Sequence, residues 1–599
     1  MNNKPLHNFH IPVMGLAYTI DTPIRVAQYG ISSVVSIIDD EIIEKMKNFY
    51  SKKFQLDYPR ISGRTEDYRA KRITDYLNMM DDIVDEKFGA FKEEISKSRT
   101  ALKGFMEMLP HTSELKEGLQ PFLDCKERLS SSLKNFIDDH FTKGSIDVNI
   151  MTKVDKENFQ DSEPLPVIYN DAHASLRGFA NSRLSSSVVL SAGMNLRLYS
   201  YLEEFDDFFP DQNGKLKKKI ILKVSDFRSA MIQGNFLAKK GLWVSEYRIE
   251  SGLNCGGHAF ATEGLLLGPI MEEFKQKKTE LVTSAHSLMI KALEEKGKST
   301  IAEPLEMKIS VQGGVGTAEE HDFLLKQYGA DSVGWGSPFL LVQEATSVDE
   351  ETRELLAVSK EKDFYLSNLS PLGVPFNTVK NTSNEEIRRE RQMKNRFGSS
   401  CPKKLLALSR EYSPEGMCTA SKKYQDIKFT ELEQEKEHIS ARQYEKKQEA
   451  IAEKACLCVG LVNAAYLENG LEIKGEKQGV VICPGPNLAY FDKKVSLSRM
   501  VRHIYGNDNV LGTADRPNMF VNELKMYIDH LAKEIGDFSG TLTNSQIKKW
   551  NTFKDNLLKG IEYYEALFQQ TGSFRTDLNI FRQLKENRNV LSEIGIPGN

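Results

Sequence analysis

The sequence has no long apolar run, no marked excess of one charge and few cysteines. Each of these features argues against a particular class of protein. None of its 599 residues belong to a stretch apolar enough and long enough to span a bilayer. The net charge of -4 gives no argument for a nucleic-acid partner. The opening residues, MNNKPLHNFH, lack the apolar core of a signal peptide, and seven cysteines without such a signal indicate reduced thiols. We therefore expect a cytoplasmic protein with no membrane span.

What remains is an ordinary globular composition, with 40% hydrophobic and 27% charged residues. A chain of 599 residues is long enough for a large core and for more than one domain. The sequence shows no short internal repeat. Its organisation therefore has to be inferred from local patterns.

The most informative stretch, Ile309 to Gln343, begins with a strand, a glycine turn and a helix. The strand is Ile309 to Val311, and the turn contains Gly313, Gly314 and Gly316. Thr317 is a suitable helix N-cap, and Glu320 three residues later predicts a capping box. Gly329 is placed to end the helix.

The same stretch continues with a second, shorter unit of strand and turn. Ser332 to Val333 form the strand, and Gly336 and Ser337 offer another pair of backbone donors. Two successive turns of this kind match the phosphate site that (β/α)8 barrels build after their last two strands. The alternative is two ordinary turns in an α/β protein.

The N-terminus predicts the first βα unit of such a barrel. Ile11 to Met14 form a strand, Gly15 and Leu16 belong to a turn of small residues, and Thr22 caps a helix that begins with Pro23. Small residues at the end of this strand would let a flat ring lie across the barrel mouth. Tight packing explains them equally well.

Residues 1–40 and 144–383 together have about the length of a (β/α)8 barrel, which is roughly 250 residues. Between them, residues 41–143 are rich in charge and helical periodicity, and we interpret them as a helical insertion. Four later apolar runs read as barrel strands: Ile146 to Met151, Val188 to Ala192, Ile220 to Val224 and Trp243 to Ile249. The predicted fold is thus an α/β (β/α)8 TIM barrel with a helical insertion and a mostly helical C-terminal extension that contains cysteines.

The segment ESGLNCGGHAF, Glu250 to Phe260, follows the last of these runs. His258 would therefore lie at the C-terminal end of a strand, the face where barrel enzymes place their chemistry. Gly256 and Gly257 leave the imidazole uncrowded, and a histidine there can move a proton near neutral pH. The alternative is a structural histidine bonded to a neighbouring carbonyl.

Three motifs together resemble the nitronate monooxygenase (2-nitropropane dioxygenase) family of FMN barrel enzymes, a group that includes flavin-dependent enoyl reductases. They are ESGLNCGGHAF, VQGGVGTAEE and ADSVGWGSPF. The opening IPVMGLA and the strand IDVNI are similar to that family as well. The resemblance covers the barrel segments in pieces, and the insertion and the C-terminal extension depart from it.

The resemblance implies an FMN cofactor, a small-molecule substrate and a set of site residues. The flavin phosphate would be held by Gly313, Gly314, Gly336 and Ser337. The ring would lie over Met14, Gly15 and Leu16, with Gly257 beside it. His258 would face the flavin as catalytic base. Cys255 stands where the family usually has Ala or Ser.

Residues 384–490 read as a Cys-rich module that holds five of the seven cysteines, and residues 491–599 as a helical C-terminal region. Four thiolates, Cys401, Cys418, Cys456 and Cys458, could hold an iron–sulfur cluster or zinc. The spacing C-x16-C-x37-C-x-C lacks the usual C-x2-C pair. Buried free thiols are the alternative.

Two enzymatic activities and one other role follow as hypotheses. The first is oxidation of a nitronate with O2, and the second is reduction of an enoyl or related C=C bond with electrons from NAD(P)H or a cluster. The third is a barrel without flavin that serves as a non-catalytic subunit of a larger complex. A homo-oligomer or an electron-donor partner is compatible with all three.

Overall fold

The protein is built on a closed barrel of eight parallel strands, seen in a computed structural model that describes residues 5–124, 131–191, 193–254, 263–473, 479–513, 515–538, 542–571 and 578–597. Each strand pairs with its neighbours in chain order, and the last pairs with the first. The strands are β1 (Phe9–Ile11), β2 (Ser32–Ser36), β3 (Ile146–Ile150), β4 (Ser187–Leu190), β5 (Lys219–Val224), β6 (Val244–Glu250), β7 (Lys308–Gln312) and β8 (Ser332–Gly334). The predicted (β/α)8 barrel is confirmed.

Helices connect successive strands and form the outer layer. The helices of this part are α1 (Thr22–Val26), α2 (Asp40–Lys53), α3 (Tyr68–Lys97), α4 (Arg99–Glu107), α5 (Glu114–Asp124), α6 (Ser131–His140), α7 (Asp171–Ala180), α8 (Leu196–Tyr201), α9 (Phe227–Ala238), α10 (Leu267–Glu295), α11 (Ala318–Tyr328) and α12 (Glu350–Val358).

The strand sequences explain the two layers, because side chains alternate between the faces of a strand. In β5, KIILKV, Ile220, Leu222 and Val224 belong to the main core under the helices. Ile221 instead belongs to a small cluster inside the barrel, and Lys223 follows it on that face. The interior is therefore partly polar, and its upper end carries charge.

The first strand differs from its sequence prediction, Ile11 to Met14. It covers Phe9–Ile11, because pairing with β2 and β8 involves only these residues. The next residues leave the sheet and turn at Gly15, whose φ is 57°. Residues 12–16 are consequently loop at the C-terminal rim of the barrel, where they can border a ligand.

The long helix α3 packs in the outer layer of the barrel, against α7 and α1. It therefore occupies the place of the barrel helix between β2 and β3. Its far end joins α4, α5 and α6 around a separate apolar cluster that includes Phe91, Phe105 and Leu133.

The C-terminal part begins with a hairpin of β9 (Phe364–Ser367) and β10 (Phe376–Val379). Helices follow: α13 (Ser383–Met393), α14 (Lys422–Glu435), α15 (Ala441–Ala452), α16 (Leu457–Glu468), α17 (Leu497–Ile504), α18 (Met519–Gly536), α19 (Asn544–Thr571) and α20 (Leu578–Glu593). Helices α18 and α19 pack on α10. Within the described ranges, no single helix has the length and apolarity to cross a bilayer, and α15 and α16 meet that test only as a pair bent by 46°.

Candidate active site

A cavity of about 1120 Å³ lies over the C-terminal ends of β1 to β6, and we call it the mouth cavity. Its floor is made of strand-end residues, among them Asn149, Ser191, Lys223 and Glu250. Its cover comes from the C-terminal part of the chain: the β9–β10 hairpin, Leu408, Gly485 and helix α18. Pockets for cofactors and drug-sized ligands are usually about 300–1,000 Å³, so the mouth cavity has room for a cofactor and a substrate.

A carboxylate at the end of β6 organises the floor of the mouth cavity. Glu250 Oε1 lies 3.0 Å from Lys223 Nζ and accepts hydrogen bonds from Asn254 Nδ2 at 2.7 Å and Gln312 Nε2 at 2.8 Å. The side chains of Lys223 and Glu250 are 13% and 16% exposed. Three donors thus fix one oxygen, and the ammonium group of Lys223 is held at the mouth.

Two amide side chains near this carboxylate have unsatisfied oxygens. Within the described residues, Asn149 Oδ1 and Gln312 Oε1 are buried and have no hydrogen-bond partner. Buried polar atoms are normally paired, so an unpaired one suggests a missing ligand or water. Both side chains belong to strands whose ends meet at the mouth.

The two glycine turns predicted to bind phosphate lie side by side. In the sheet Gln312 of β7 is paired with Gly334 of β8, so residues 313–316 and 336–337 leave adjacent strands at the same rim. Gly313 and Gly314 have φ of 112° and 82°, values that favour glycine. The four predicted phosphate ligands do not line the mouth cavity, because Leu253 and Asn254 pack against Gly313 and Gly314.

Four amides of these turns have no hydrogen-bond partner among the described residues. In the part of the chain that the structure describes, the backbone N–H groups of Gly313, Gly314, Gly336 and Ser337 donate to no protein group. Gly313, Gly314 and Ser337 are buried. Unpaired buried amides are costly, and consecutive ones form a concavity that suits an anion.

Arg516 of the C-terminal extension and Glu320 of α11 both contact the first turn. Arg516 Nη2 donates to Gly314 O at 2.6 Å and Arg516 Nη1 lies 2.7 Å from Glu320 Oε1, while Glu320 Oε2 accepts from Gly316 N at 2.8 Å. Thr317 caps α11 as predicted and Gly329 ends it. The predicted capping box is wrong in one detail. The Glu320 carboxylate accepts a hydrogen bond from the amide of Gly316 and pairs with Arg516, because the C-terminal extension brings that guanidinium to the turn.

The predicted ring-binding residues separate into two groups. Gly15 lines the mouth cavity, whereas Met14 and Leu16 are buried beneath it. A Cβ at Gly15 would stand 2.4 Å from the Tyr18 ring, so this position cannot carry a side chain. Above β1 the mouth cavity is therefore bordered by Val13 and by the backbone of Gly15.

Two further predictions, His258 as the base and Gly257 beside the flavin, lie outside the described residues. The chain on either side is fixed by Glu523 of α18, which is 2% exposed. Glu523 accepts hydrogen bonds from Ser251 Oγ at 2.6 Å, Gly252 N at 3.3 Å and Leu267 N at 2.8 Å. One carboxylate of the C-terminal extension thus holds both ends of the segment that contains the histidine.

Glu523 is expected to make stability depend on pH. Burial raises its pKa above the ordinary value of 4.5, so its contribution to stability is complete below that value and is lost as pH rises through the folded-state pKa. Glu523→Gln removes this titration. We expect the stability of the wild type relative to Glu523→Gln, measured by urea unfolding, to fall as pH rises above 4.5.

Glu534, on the same helix, provides a control whose effect on stability should have the opposite pH dependence. Burial acts to raise the pKa of Glu534, but the hydrogen bond and charge of Lys549, together with His530 and Trp550, outweigh it and the pKa is lowered. The contribution of Glu534 to stability is therefore lost as pH falls. The stability of the wild type relative to Glu534→Gln should accordingly rise with pH, the reverse of the trend for Glu523→Gln. If the relative stability changed with pH in the same way for both variants, the directions assigned to the two pKa shifts would be wrong.

Of the four cysteines predicted as metal ligands, Cys401 and Cys418 share one small cluster, whereas Cys456 and Cys458 lie in the main core at the start of α16. A hydrogen bond from the Cys418 thiol lowers the pKa of Cys401 to about 7, and the same bond together with burial raises the pKa of Cys418. Burial raises the pKa of Cys456 to about 11, and burial also raises the pKa of Cys458 well above its ordinary value. Over the described ranges, no group of three or more His, Cys, Asp or Glu side chains is arranged to hold a metal ion. Metal binding stays a prediction.

Sequence reasoning missed the residues that organise the mouth, namely Lys223, Asn254 and Glu523. One signal was available for Lys223: a lysine inside the apolar run IILKV has to face a polar barrel interior or its opening. Glu523 gave no signal, because it lies in an amphipathic helix far along the chain.

The chain is similar to two solved structures. The enoyl reductase domain of MlnA from the macrolactin biosynthesis cluster of Bacillus amyloliquefaciens is 16% identical, with 71% of this chain and 89% of that domain covered and a TM-score of 0.32. The nitroalkane oxidase of Streptomyces ansochromogenes is 9% identical, with 84% and 96% covered and a TM-score of 0.35. No protein-family model and no curated protein matches the chain. Both TM-scores are too low to carry an argument, so the fold assignment rests on the strand order.

Proposed function

We propose that this protein is an FMN-dependent oxidoreductase whose cofactor lies across the mouth of the barrel. The observation that supports the proposal is the pair of adjacent glycine turns, in which four backbone amides find no partner in the part of the chain that the structure describes: Gly313, Gly314, Gly336 and Ser337. A phosphate monoester accepts several such bonds at once, and it is a favourable ligand at the end of a barrel sheet. The turns stand directly behind residues that line the mouth cavity.

The mouth cavity supplies the remaining requirements for a flavin. Its volume of about 1120 Å³ accommodates a tricyclic ring with a substrate beside it. Gly15 offers a part of the wall without a side chain, and the amides of Asn149 and Asn254 offer polar partners for a heterocycle. The residues that line the mouth cavity therefore fit the ring of the group, and the turns that would hold its phosphate lie behind Leu253 and Asn254.

When bound, a flavin supplies hydride or single-electron transfer, and the protein supplies orientation and electrostatics. Lys223 holds a positive charge at the mouth, fixed by Glu250 at 3.0 Å. The apolar residues of the cover, such as Phe364 and Met526, exclude water, and the electrostatic interactions of the Lys223 charge are stronger as a result. By resemblance, His258 takes or gives the proton at the reacting carbon.

The cover also bears on the choice between the two reactions. Its wall contains Phe364, Leu366, Leu372, Val374 and Leu408, an apolar surface much larger than a small nitroalkane needs. This surface favours the second candidate, reduction of a C=C bond in a substrate with an apolar body. Stopped-flow reduction by NADPH, compared with oxidation of a nitroalkane anion, distinguishes the two.

The purified protein should be yellow and should bind FMN more tightly than riboflavin. Two charge-assisted hydrogen bonds of about 1.5–3 kcal/mol each predict at least about a 100-fold difference in Kd. Ser337→Asp places a negative charge beside the phosphate and should abolish this preference without changing the Kd for riboflavin. Fluorescence quenching of each flavin gives both constants.

Ser545→Asp is the matched control, because Ser545 is exposed in the first turn of α19. It should leave both affinities as they are. Melting curves of both variants show whether the fold is retained. A colourless protein that takes up neither flavin would refute the proposal and favour a non-catalytic barrel subunit.

A further inference from the structure

We propose that the C-terminal extension completes the phosphate site, because Asn487, His503 and Arg516 hold the first glycine turn, residues 313–316, in a conformation that offers its amides to an anion. This role rests on the proposed function, since the anion would be the phosphate of the flavin. The three side chains contact the turn, so they are positioning residues. They follow their partners in the turn by 172, 187 and 202 residues.

Three successive carbonyl groups of the turn each accept a hydrogen bond from one of these side chains. The bonds are Arg516 Nη2 to Gly314 O at 2.6 Å, Asn487 Nδ2 to Val315 O at 2.8 Å and His503 Nε2 to Gly316 O at 2.9 Å. All three donors are buried. A buried carbonyl that loses its partner is costly, so these bonds fix the backbone of the turn.

The donors are themselves held in place. Arg516 Nε donates to Asn487 Oδ1 at 3.1 Å, and Arg516 Nη1 lies 2.7 Å from Glu320 Oε1. The Val510 amide donates to His503 Nδ1 at 3.4 Å, so the proton of the imidazole is on Nε2, as the bond to a carbonyl requires. Burial lowers the pKa of His503, and the ring is neutral near pH 7.

The direction of these carbonyls decides the direction of the amides that follow them. A peptide unit is planar and trans, so each N–H points away from the carbonyl of the preceding residue. Fixing Gly314 O therefore fixes the N–H of Val315, and fixing Gly316 O fixes the N–H of Thr317. Neither N–H donates to another of the described residues. The extension thus engages acceptors of the turn and leaves donors for a ligand, which is the polarity that an anion requires.

The same contact explains the third glycine of the turn. Gly313 and Gly314 have positive φ, whereas the φ of Gly316 lies outside the range that disfavours other residues. A Cβ at Gly316 would instead stand 2.5 Å from Arg516 Nε and 2.6 Å from Arg516 Cζ. Glycine is therefore needed at this position because a guanidinium from the extension lies against its backbone.

Arg516 also compensates a negative charge beside the turn. The Glu320 carboxylate accepts hydrogen bonds from Gly316 N at 2.8 Å and from Met519 N at 2.7 Å, and it would repel a phosphate if it were left unpaired. The side chains of Arg516 and Glu320 are 4% and 2% exposed, so water screens this pair little. Arg516 therefore acts on a bound anion through charge as well as through the position of the turn.

Docking of the extension and binding of the anion are linked through the turn. The extension holds the turn in one conformation, and an anion that binds this conformation favours the docked extension in return. Such coupling is reciprocal by thermodynamic necessity. The segment 487–516 is therefore part of the cofactor site, although it lies outside the barrel.

Flavin affinities of two variants at position 503 test this role. His503→Leu removes the donor to Gly316 O, whereas His503→Gln offers an N–H in its place. We expect His503→Leu to raise the Kd for FMN about tenfold, the upper range for one neutral hydrogen bond, and to leave the Kd for riboflavin unchanged. His503→Gln should retain both values. A packing defect would instead weaken the binding of both flavins.

His286→Leu is the matched control, because His286 Nε2 donates in the same way to a backbone carbonyl, Ile301 O, at 3.3 Å. His286 does not line the mouth cavity, so both affinities should stay as they are. Asn487→Leu removes the donor to Val315 O and provides a second variant in case His503→Leu does not fold. Melting curves of all variants show whether the fold is retained.

Hydrogen–deuterium exchange of the full chain without added flavin tests the hold on the turn independently of the cofactor. The peptide that contains the amide of Gly316 should exchange about tenfold faster in His503→Leu than in the wild type or His503→Gln. Equal exchange in His503→Leu and the wild type would overturn the role, as would faster exchange with an unchanged Kd for FMN. If the wild type takes up neither flavin, the proposed function fails, and inorganic phosphate replaces FMN as the probe. Phosphate should then raise the Tm of the wild type more than that of His503→Leu, and equal shifts would overturn the role.

Discussion

Replacing Lys223 with methionine is expected to lower turnover by about 100- to 1,000-fold, the usual cost of removing one preorganised donor from an active site. Lys223 is the cation fixed at the floor of the mouth cavity, 3.0 Å from Glu250. Methionine keeps the length of the side chain and removes only the charge. The variant should bind flavin, but the midpoint potential of the bound flavin should become more negative, because a nearby positive charge favours the reduced, more anionic form.

The same strand provides the control for this experiment. Lys219 lies at the opposite end of β5 and is exposed, so Lys219→Met should leave turnover and potential unchanged. The double variant Lys223→Met/Glu250→Gln separates the missing cation from the carboxylate that it leaves unpaired. If Lys223→Met retains both the rate and the potential of the wild type, the lysine does not act on the reaction.

The barrel and its glycine turns were predictable because their signals are local. A strand, a glycine turn, the N-cap Thr317 and the terminal Gly329 lie within a few residues of one another, and each has a known conformational preference. The order of these units then fixes the barrel, since parallel strands joined by helices close in chain order. The structure agrees at each of these points.

The polar floor and the cover of the mouth cavity were not predictable in the same way. Glu523 holds Ser251, which lies 272 residues earlier, and Arg516 reaches Gly314 across 202 residues. Such contacts depend on how the C-terminal helices dock on the barrel, and no local pattern encodes that docking. Periodicity likewise identified helices in residues 41–143 without revealing that α3 occupies the place of a barrel helix.

Replacing Arg248 with methionine is expected to destabilise the protein by about 3–5 kcal/mol at pH 7, the cost of breaking a buried ion pair. Arg248 is 2% exposed inside the barrel, and its Nη2 lies 2.7 Å from Glu246 Oε1. Burial acts to raise the pKa of Glu246, but the charge and hydrogen bond of Arg248, together with His10 and Ser310, outweigh it and the pKa is lowered. Burial raises the pKa of Asp147, which Arg248 also stabilises as an anion.

The pH dependence of this loss identifies its cause. A carboxylate whose pKa is lowered in the folded state stabilises above its unfolded pKa and loses that contribution as pH falls. The difference in unfolding free energy between wild type and Arg248→Met should therefore be largest near neutral pH. It should become smaller below about pH 4.5, where unpaired carboxylates can protonate. Glu246→Gln in the Arg248→Met background should recover part of the stability, and Arg228→Met, at an exposed position of α9, should cost little. A loss from Arg248→Met that is independent of pH and unaffected by Glu246→Gln would indicate a packing defect, and the interior of the barrel would then not depend on this ion pair.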